Sequence, residues 1–75
     1  MKAQHTFRSE EREKLEIVAS LLQQAGYQIT SISSSNENMT FKATRDTVLS
    51  KRDEEERINQ LVHHFGILSW SVTYR

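Results

Sequence analysis

The residues of this 75-residue chain with the most obvious chemistry are a pair of adjacent histidines, a run of four acids and a cluster of serines. His63 and His64 are neighbours, so on a helix their side chains diverge by ~100°. They cannot share a metal as an i, i+4 pair does, and recruiting His5 would require distant parts of the chain to meet. All three are read as surface or boundary groups. Asp53-Glu54-Glu55-Glu56 offers the oxygen ligands that hard cations prefer, but acids bunched in the first turn of a helix are accounted for by the helix dipole and by capping. Ser31, Ser33, Ser34 and Ser35 have no glycine-rich elbow around them, and the phosphate-loop and dinucleotide patterns are missing. Without a nucleophile beside a base, or two carboxylates in a cleft, the expectation is a protein that is not an enzyme and uses no metal or cofactor.

The aromatic residues point elsewhere. Trp70 sits in Ile67-Leu68-Ser69-Trp70-Ser71-Val72, where bulky and hydroxyl side chains alternate along a strand. Tryptophan and tyrosine on an edge strand are frequent anchors of protein contacts, which makes Trp70 and Tyr74 the candidate interaction residues. Single-stranded RNA binding on a sheet would need stacking rings in the central strands. Only Phe7 and Phe41 are available, and both are better used in a core.

One unit of structure, a helix followed by glycine and a strand, occurs twice and must position these residues. Leu15, Val18, Ala19, Leu22 and Ala25 recur at helical spacing, Leu21 widens the stripe, Gly26 ends it with a left-handed cap, and residues 27–34 are rich in β-formers. Ile58, Leu61, Val62 and Phe65 repeat the pattern, Gly66 ends it, and residues 67–74 read as the last strand. Residues 2–8 form a first strand with Ala3, His5 and Phe7 on one side. Ser9 caps the first helix, ahead of Glu10 and Glu11. Residues 35–38 form a hairpin turn into a strand over 39–45, residues 46–49 are ambiguous, and Ser50 or Asp53 caps the second helix. Ile29 and Ile32 have opposite parity, implying either a bulge or a lightly buried second face.

The resulting order is β-α-β-β-α-β, a ferredoxin-like α+β plan. A four-stranded antiparallel sheet carries two helices on one face, and its first and third strands are central. The expected core is Phe7, Leu15, Val18, Leu22, Ile29, Phe41, Ile58, Leu61, Val62, Phe65 and Trp70 or its neighbours. The helix-free face leans toward polar exposure, and the second and fourth strands are open edges.

Composition sets the limits. The chain is one small domain with no cysteine to staple it; 36% of its residues are hydrophobic, and ten basic residues balance ten acidic ones. It is therefore globular, and its zero net charge argues against a general nucleic-acid surface. No apolar run approaches the ~18 residues that span a bilayer, and no signal peptide opens the chain.

The segment from Leu21 to Ile32, Leu-Leu-Gln-Gln-Ala-Gly-Tyr-Gln-Ile-Thr-Ser-Ile, resembles the first helix and second strand of ACT-type regulatory domains. The segment from Arg57 to Val72, ending Ile67-Leu68-Ser69-Trp70-Ser71-Val72, is similar to the end of the cytoplasmic ACT-like domain in the MgtC/SapB family of bacterial inner-membrane proteins. The second resemblance implies a non-spanning domain at the cytoplasmic face, with transmembrane helices upstream. It also implies a regulatory or protein-interaction role linked to magnesium limitation or virulence, with a protein partner or a second copy as the binding partner. The alternative implied by ACT domains is a sensor that takes an amino acid or divalent cation at a dimer junction, with Arg8, Ser9, Glu10, Glu11 and Arg12 as the ligand turn. That turn lacks the acid-arginine-proline-glycine type of sequence that cradles an amino acid, which counts against the sensor. A small nucleic-acid-binding protein is the weakest alternative.

Overall fold

The computed structural model describes residues 1–75, the side chain of Ser35 excepted. Its elements are β1 (Ala3–Ser9), α1 (Arg12–Gln24), β2 (Gln28–Ile29), β3 (Ser33–Ser35), β4 (Asn38–Arg45), α2 (Lys51–Phe65) and β5 (Ser69–Tyr74). The sheet is antiparallel in the order β2-β4-β1-β5, with β3 also paired to β4. This is the ferredoxin-like plan with β1 and β4 at its centre.

The expected count of four strands becomes five because the second strand is broken. Gln28 and Ile29 lie opposite Thr44 and Ala43, but Ser33 lies opposite Thr40, one residue out of step. The extra residue is absorbed at positions 30–32, and Thr30 bridges the gap. Its N–H donates to the Lys42 carbonyl, and the Lys42 N–H donates to Thr30 Oγ1, both at 2.9 Å. A side-chain hydroxyl thus replaces a backbone carbonyl in the ladder. The bulge reverses which parity faces the helices, so Ile29 and Ile32 both pack against the core.

Both helix–Gly–strand units close with the same bonds. After α1, Tyr27 N–H bonds the Leu22 carbonyl (3.0 Å) and Gly26 N–H the Gln23 carbonyl (3.1 Å). After α2, Ile67 N–H bonds the Val62 carbonyl (3.0 Å) and Gly66 N–H the His63 carbonyl (3.4 Å). These are Schellman caps, which need a left-handed residue after the helix, and the glycines supply it at φ 96° and 63°. Alanine at either position would incur ~1–2 kcal/mol of backbone strain. The residue after each glycine, Tyr27 or Ile67, is carried straight into the core.

The helix starts differ from each other. Ser50 caps α2, its Oγ accepting the Asp53 N–H at 3.3 Å. Contrary to the expectation from sequence, Ser9 does not cap α1, because it is buried at the end of β1 opposite Met39. It accepts the Glu11 N–H at 3.1 Å, and the helix begins only at Arg12 with no side-chain cap.

Phe7, Leu15, Val18, Leu22, Tyr27, Phe41, Ala43, Ile58 and Ile67 form the core between sheet and helices. Phe7 and Phe41 stack at 5.0 Å. Ile29, Leu61, Val62, Phe65 and Trp70 line its rim, half-buried. Leu21 does not widen the buried stripe; it is exposed on α1 beside Ile17. On the helix-free face the strands present Gln4, Thr6 and Arg8, then Thr40, Lys42 and Thr44, then Ser69, Ser71 and Thr73, since alternate residues share a face. That face carries hydroxyls, amides and cations.

Candidate functional site

Polar residues, not apolar ones, distinguish the interior. His5 is fully buried, and Glu54 is 5% exposed. Both correct the reading from sequence, which took His5 as a surface or boundary group and Glu54 as one of the acids that serve the helix dipole and cap. His5 lies in central β1 between Phe7 and Ala3 on the helix-facing side, and Glu54 lies one turn into α2, four residues before buried Ile58. Asp53, Glu55, Glu56, His63 and His64 are exposed, as expected.

Glu54 Oε2 lies 2.7 Å from His5 Nε2 and accepts the Tyr27 hydroxyl. Glu54 Oε1 lies 3.8 Å from the Arg45 guanidinium, which also rests over the Tyr27 ring at 5.6 Å. On the other side of the imidazole, Trp70 Nε1 donates to His5 Nδ1 at 3.1 Å. An indole N–H only donates, so Nδ1 must accept and the ring proton sits on Nε2, directed at the carboxylate. The His5 ring lies within 26° and 21° of parallel to the rings of Phe7 and Trp70, with centroids 6.1 Å away in each case.

Four elements thus meet at one carboxylate, α2 through Glu54, β1 through His5, the start of the second strand through Tyr27 and β4 through Arg45, and β5 joins them through Trp70 on the far nitrogen of His5. A buried charge is tolerated only when it is paired or hydrogen-bonded; here Oε2 meets His5 and Tyr27, and Oε1 faces the Arg45 guanidinium. Among the described residues no buried side-chain nitrogen or oxygen lacks a partner. The cluster joins elements, and its Glu54–Arg45 side borders a small cavity that Ser50, Asp53 and Arg57 also line. No three His, Cys, Asp or Glu side chains are grouped to hold a metal among the described residues.

Tyr27 has its phenol pushed above the usual value, first by burial and then by its bond to the Glu54 carboxylate. Tyr74 is pushed up to about 12, by desolvation and by its hydrogen bond to Glu55. The Tyr74 hydroxyl lies 3.1 Å from Glu55 Oε2 and 3.3 Å from the Lys51 carbonyl, and Lys51 Nζ sits 5.1 Å over the ring. The two candidate interaction residues therefore share the helix-side face of β5: Trp70 is tied inward to His5, and Tyr74 is tied to α2. A shallow depression beside Trp70 is lined by Lys51, Arg52, Glu55, Glu56 and Asn59.

The candidate ligand turn is laid out differently. Arg8 is exposed on the helix-free face and Ser9 is buried, while Glu10, Glu11 and Arg12 are exposed. Glu11 pairs with Lys14 at 2.6 Å and Arg12 with Glu16 at 3.0 Å, both along α1 itself. The five side chains do not converge on one point.

The outer edge of β5 is open. Lys2 and Arg75 exchange two backbone bonds of 2.8 Å. Bonded and non-bonded pairs alternate along an antiparallel ladder. Thr73, Ser71 and Ser69 are therefore the residues bonded to β1, opposite Gln4, Thr6 and Arg8. Trp70, Val72 and Tyr74 fall in the non-bonded pairs, and their N–H and C=O groups point away from the sheet. Among the described residues no strand meets them. The opposite edge is made of two-residue β2 and three-residue β3 with the bulge between them, a form that discourages pairing.

No family model matches this chain, and no curated protein matches it. Among solved structures, formyltetrahydrofolate deformylase from Burkholderia mallei ATCC 23344 is similar over 96% of this chain, with a TM-score of 0.54 and 10% identity. The chain spans 27% of the length of that enzyme. At this identity the likeness is one of fold, and it agrees with the α+β ferredoxin-like plan.

The two tyrosines allow a controlled comparison. Tyr27→Phe removes a donor from a buried carboxylate and should cost about 1.5–3 kcal/mol, whereas Tyr74→Phe at the surface should cost under about 1 kcal/mol. Urea denaturation measures both, and equal losses would contradict the buried role of Tyr27. Alkaline titration is the second check. Both folded-state values are raised, so the stability these phenols contribute is fully present below pH 10 and is lost as pH rises past it, through about 12 for Tyr74. Ultraviolet difference spectra should find little phenolate at pH 10 while circular dichroism still reports a folded chain; half-ionised tyrosines under those conditions would contradict it.

Proposed function

We propose that this chain is a non-enzymatic regulatory module that binds a protein partner by taking an extended strand along the outer edge of β5. The observation that carries the reading is the row of outward N–H and C=O groups at Trp70, Val72 and Tyr74, on a strand whose other side is fully paired. Such a row is the template used in β-strand addition. The indole and phenol of Trp70 and Tyr74 flank it on the helix side, where they can anchor the added strand.

The mutual bonds of His5, Glu54, Tyr27 and Trp70 support a structural use of these groups. The burial of Phe7 and Phe41 counts against binding of single-stranded nucleic acid, because the solvent-facing side of the sheet has no ring on which a base could stack. The alternative of a sensor for an amino acid or divalent cation draws its support from the ACT resemblance. Saturable shifts at residues 9–12 on titration with amino acids or Mg²⁺ would favour it.

The narrower form of the proposal places the module at the cytoplasmic face of a bacterial inner membrane, within a protein linked to magnesium homeostasis or virulence. Its support is the resemblance carried by Leu68-Ser69-Trp70-Ser71-Val72. In this chain no helix is long and apolar enough to cross a membrane, so the spanning part of such a protein would be other segments.

Amide hydrogen exchange on dilute protein tests the open edge. Ser71 and Thr73 should be protected by their bonds to β1, while Val72 between them, and Trp70 and Tyr74 beside them, exchange rapidly. Uniform protection along residues 69–74 would contradict an edge free to take a partner strand.

A further inference from the structure

We infer that His5 is an acid-operated latch on the β5 edge: the neutral ring holds Trp70 inward, and a proton taken up at Nδ1 releases it. This inference rests on the partner-binding reading above and adds a means of regulating it. The neutral ring directs its one N–H at Glu54 Oε2 (2.7 Å) and offers bare Nδ1 to the Trp70 indole (3.1 Å). Histidine is the side chain whose charge changes between about pH 5 and 8, and a charged imidazole donates from both nitrogens. Two N–H groups would then face each other across 3.1 Å, a contact that cannot persist. Protonation of His5 and the Trp70 bond therefore exclude each other.

The surroundings of the ring decide which side gives way. Glu54 on α2 lies against Nε2 and stabilises a charged ring as an ion pair. Tyr27, at the start of the second strand, meets the imidazole edge-on at 5.9 Å and donates to the same carboxylate. Arg45 of β4 stands behind that carboxylate, 3.8 Å from its other oxygen, and repels a charged imidazole only from there. The buried residues of α1 are Leu15, Val18 and Leu22, which carry no charge, and β5 presents the neutral indole. Glu54 is held by its partners in the interior, whereas Trp70 is half-buried and borders the depression lined by Lys51, Arg52, Glu55, Glu56 and Asn59. The indole is therefore the member that moves. Turned outward it finds water and the oxygens of Glu55, Glu56 and Asn59 as acceptors, and water takes its place at Nδ1. Trp70 is the inner anchor of β5, so its release loosens the edge while Tyr74 and the ladder to β1 keep the strand in the sheet. The edge is held in fixed geometry at neutral pH and freed in mild acid, in the manner of switches built on histidine protonation.

Trp70 is the only tryptophan in the chain, so its fluorescence reads the latch. Between about pH 8 and 5 the emission should shift to the red while far-ultraviolet circular dichroism stays constant. Nitrogen-15 NMR should show His5 Nδ1 gaining a proton at the same midpoint. Replacing both exposed histidines, His63→Gln with His64→Gln, should leave the shift unchanged. Trp70→Phe keeps a ring against the imidazole and removes the opposing N–H, so Nδ1 should take its proton at about tenfold lower acidity, with circular dichroism confirming the fold. An emission that stays constant over this range overturns the inference. So does a shift that disappears with His63 and His64, or a Trp70→Phe chain whose His5 protonates at the wild-type pH. In those cases rapid exchange at Trp70, Val72 and Tyr74 at neutral pH would leave the partner-binding reading standing without the latch, and protection there would remove both.

Discussion

A carboxylate in an apolar interior must be surrounded by donors, and this requirement at Glu54 organises the molecule. The donors come from three different strand segments, so α2 seats correctly only when β1, β4 and the start of the second strand are already in register. His5 then extends the constraint, because the proton it directs at Glu54 leaves its other nitrogen as an acceptor for Trp70. The edge strand is thereby tied to the helix above it through one imidazole. Removing one member of such a buried set strands the others without partners, which costs more than the bond itself contributed.

That tie bears on what the surface can do. An edge strand in a domain this small would ordinarily fray. Here β5 is held from the inside by Trp70 and from the top by Tyr74, so its outward backbone groups are presented in a fixed geometry. The opposite edge is handled in the reverse way: the Thr30 bulge breaks it into short pieces that offer no continuous ladder. One edge is blunted and the other is presented, and the proposal of strand binding at β5 rests on this asymmetry.

Much of this was legible in the amino-acid order, and what was missed has a physical reason. The two helix–Gly–strand units could be read because a Schellman cap is local: a periodic apolar stripe followed by glycine is sufficient to specify it, as Gly26 and Gly66 confirm. The opposite parities of Ile29 and Ile32 left a bulge or a lightly buried second face open, since the Thr30 hydroxyl bond that decides for the bulge depends on Lys42 across the sheet. His5 and Glu54 escaped because apolar periodicity does not count polar residues, and because their bond joins positions 49 residues apart. Both nevertheless left a trace. His5 has the parity of Ala3 and Phe7 on the buried side of its strand, and Glu54 lies one turn before Ile58 on the stripe of α2. Two polar residues on two buried faces, able to neutralise each other's demand for partners, were a signal of contact. Leu21 erred in the opposite direction: its apolar side chain fitted the stripe, yet it lies outside the arc that the sheet covers.

The claim on which the rest depends is the direction of hydrogen bonding through His5. Nitrogen-15 NMR of the imidazole in the folded protein at neutral pH tests it most directly, because protonated and bare ring nitrogens resonate far apart. The account predicts a proton on Nε2 facing Glu54, and a bare Nδ1 accepting from the Trp70 indole. A proton found on Nδ1 would contradict it, because the indole and the imidazole would then be two donors facing each other, and the link from α2 to the β5 edge would be gone.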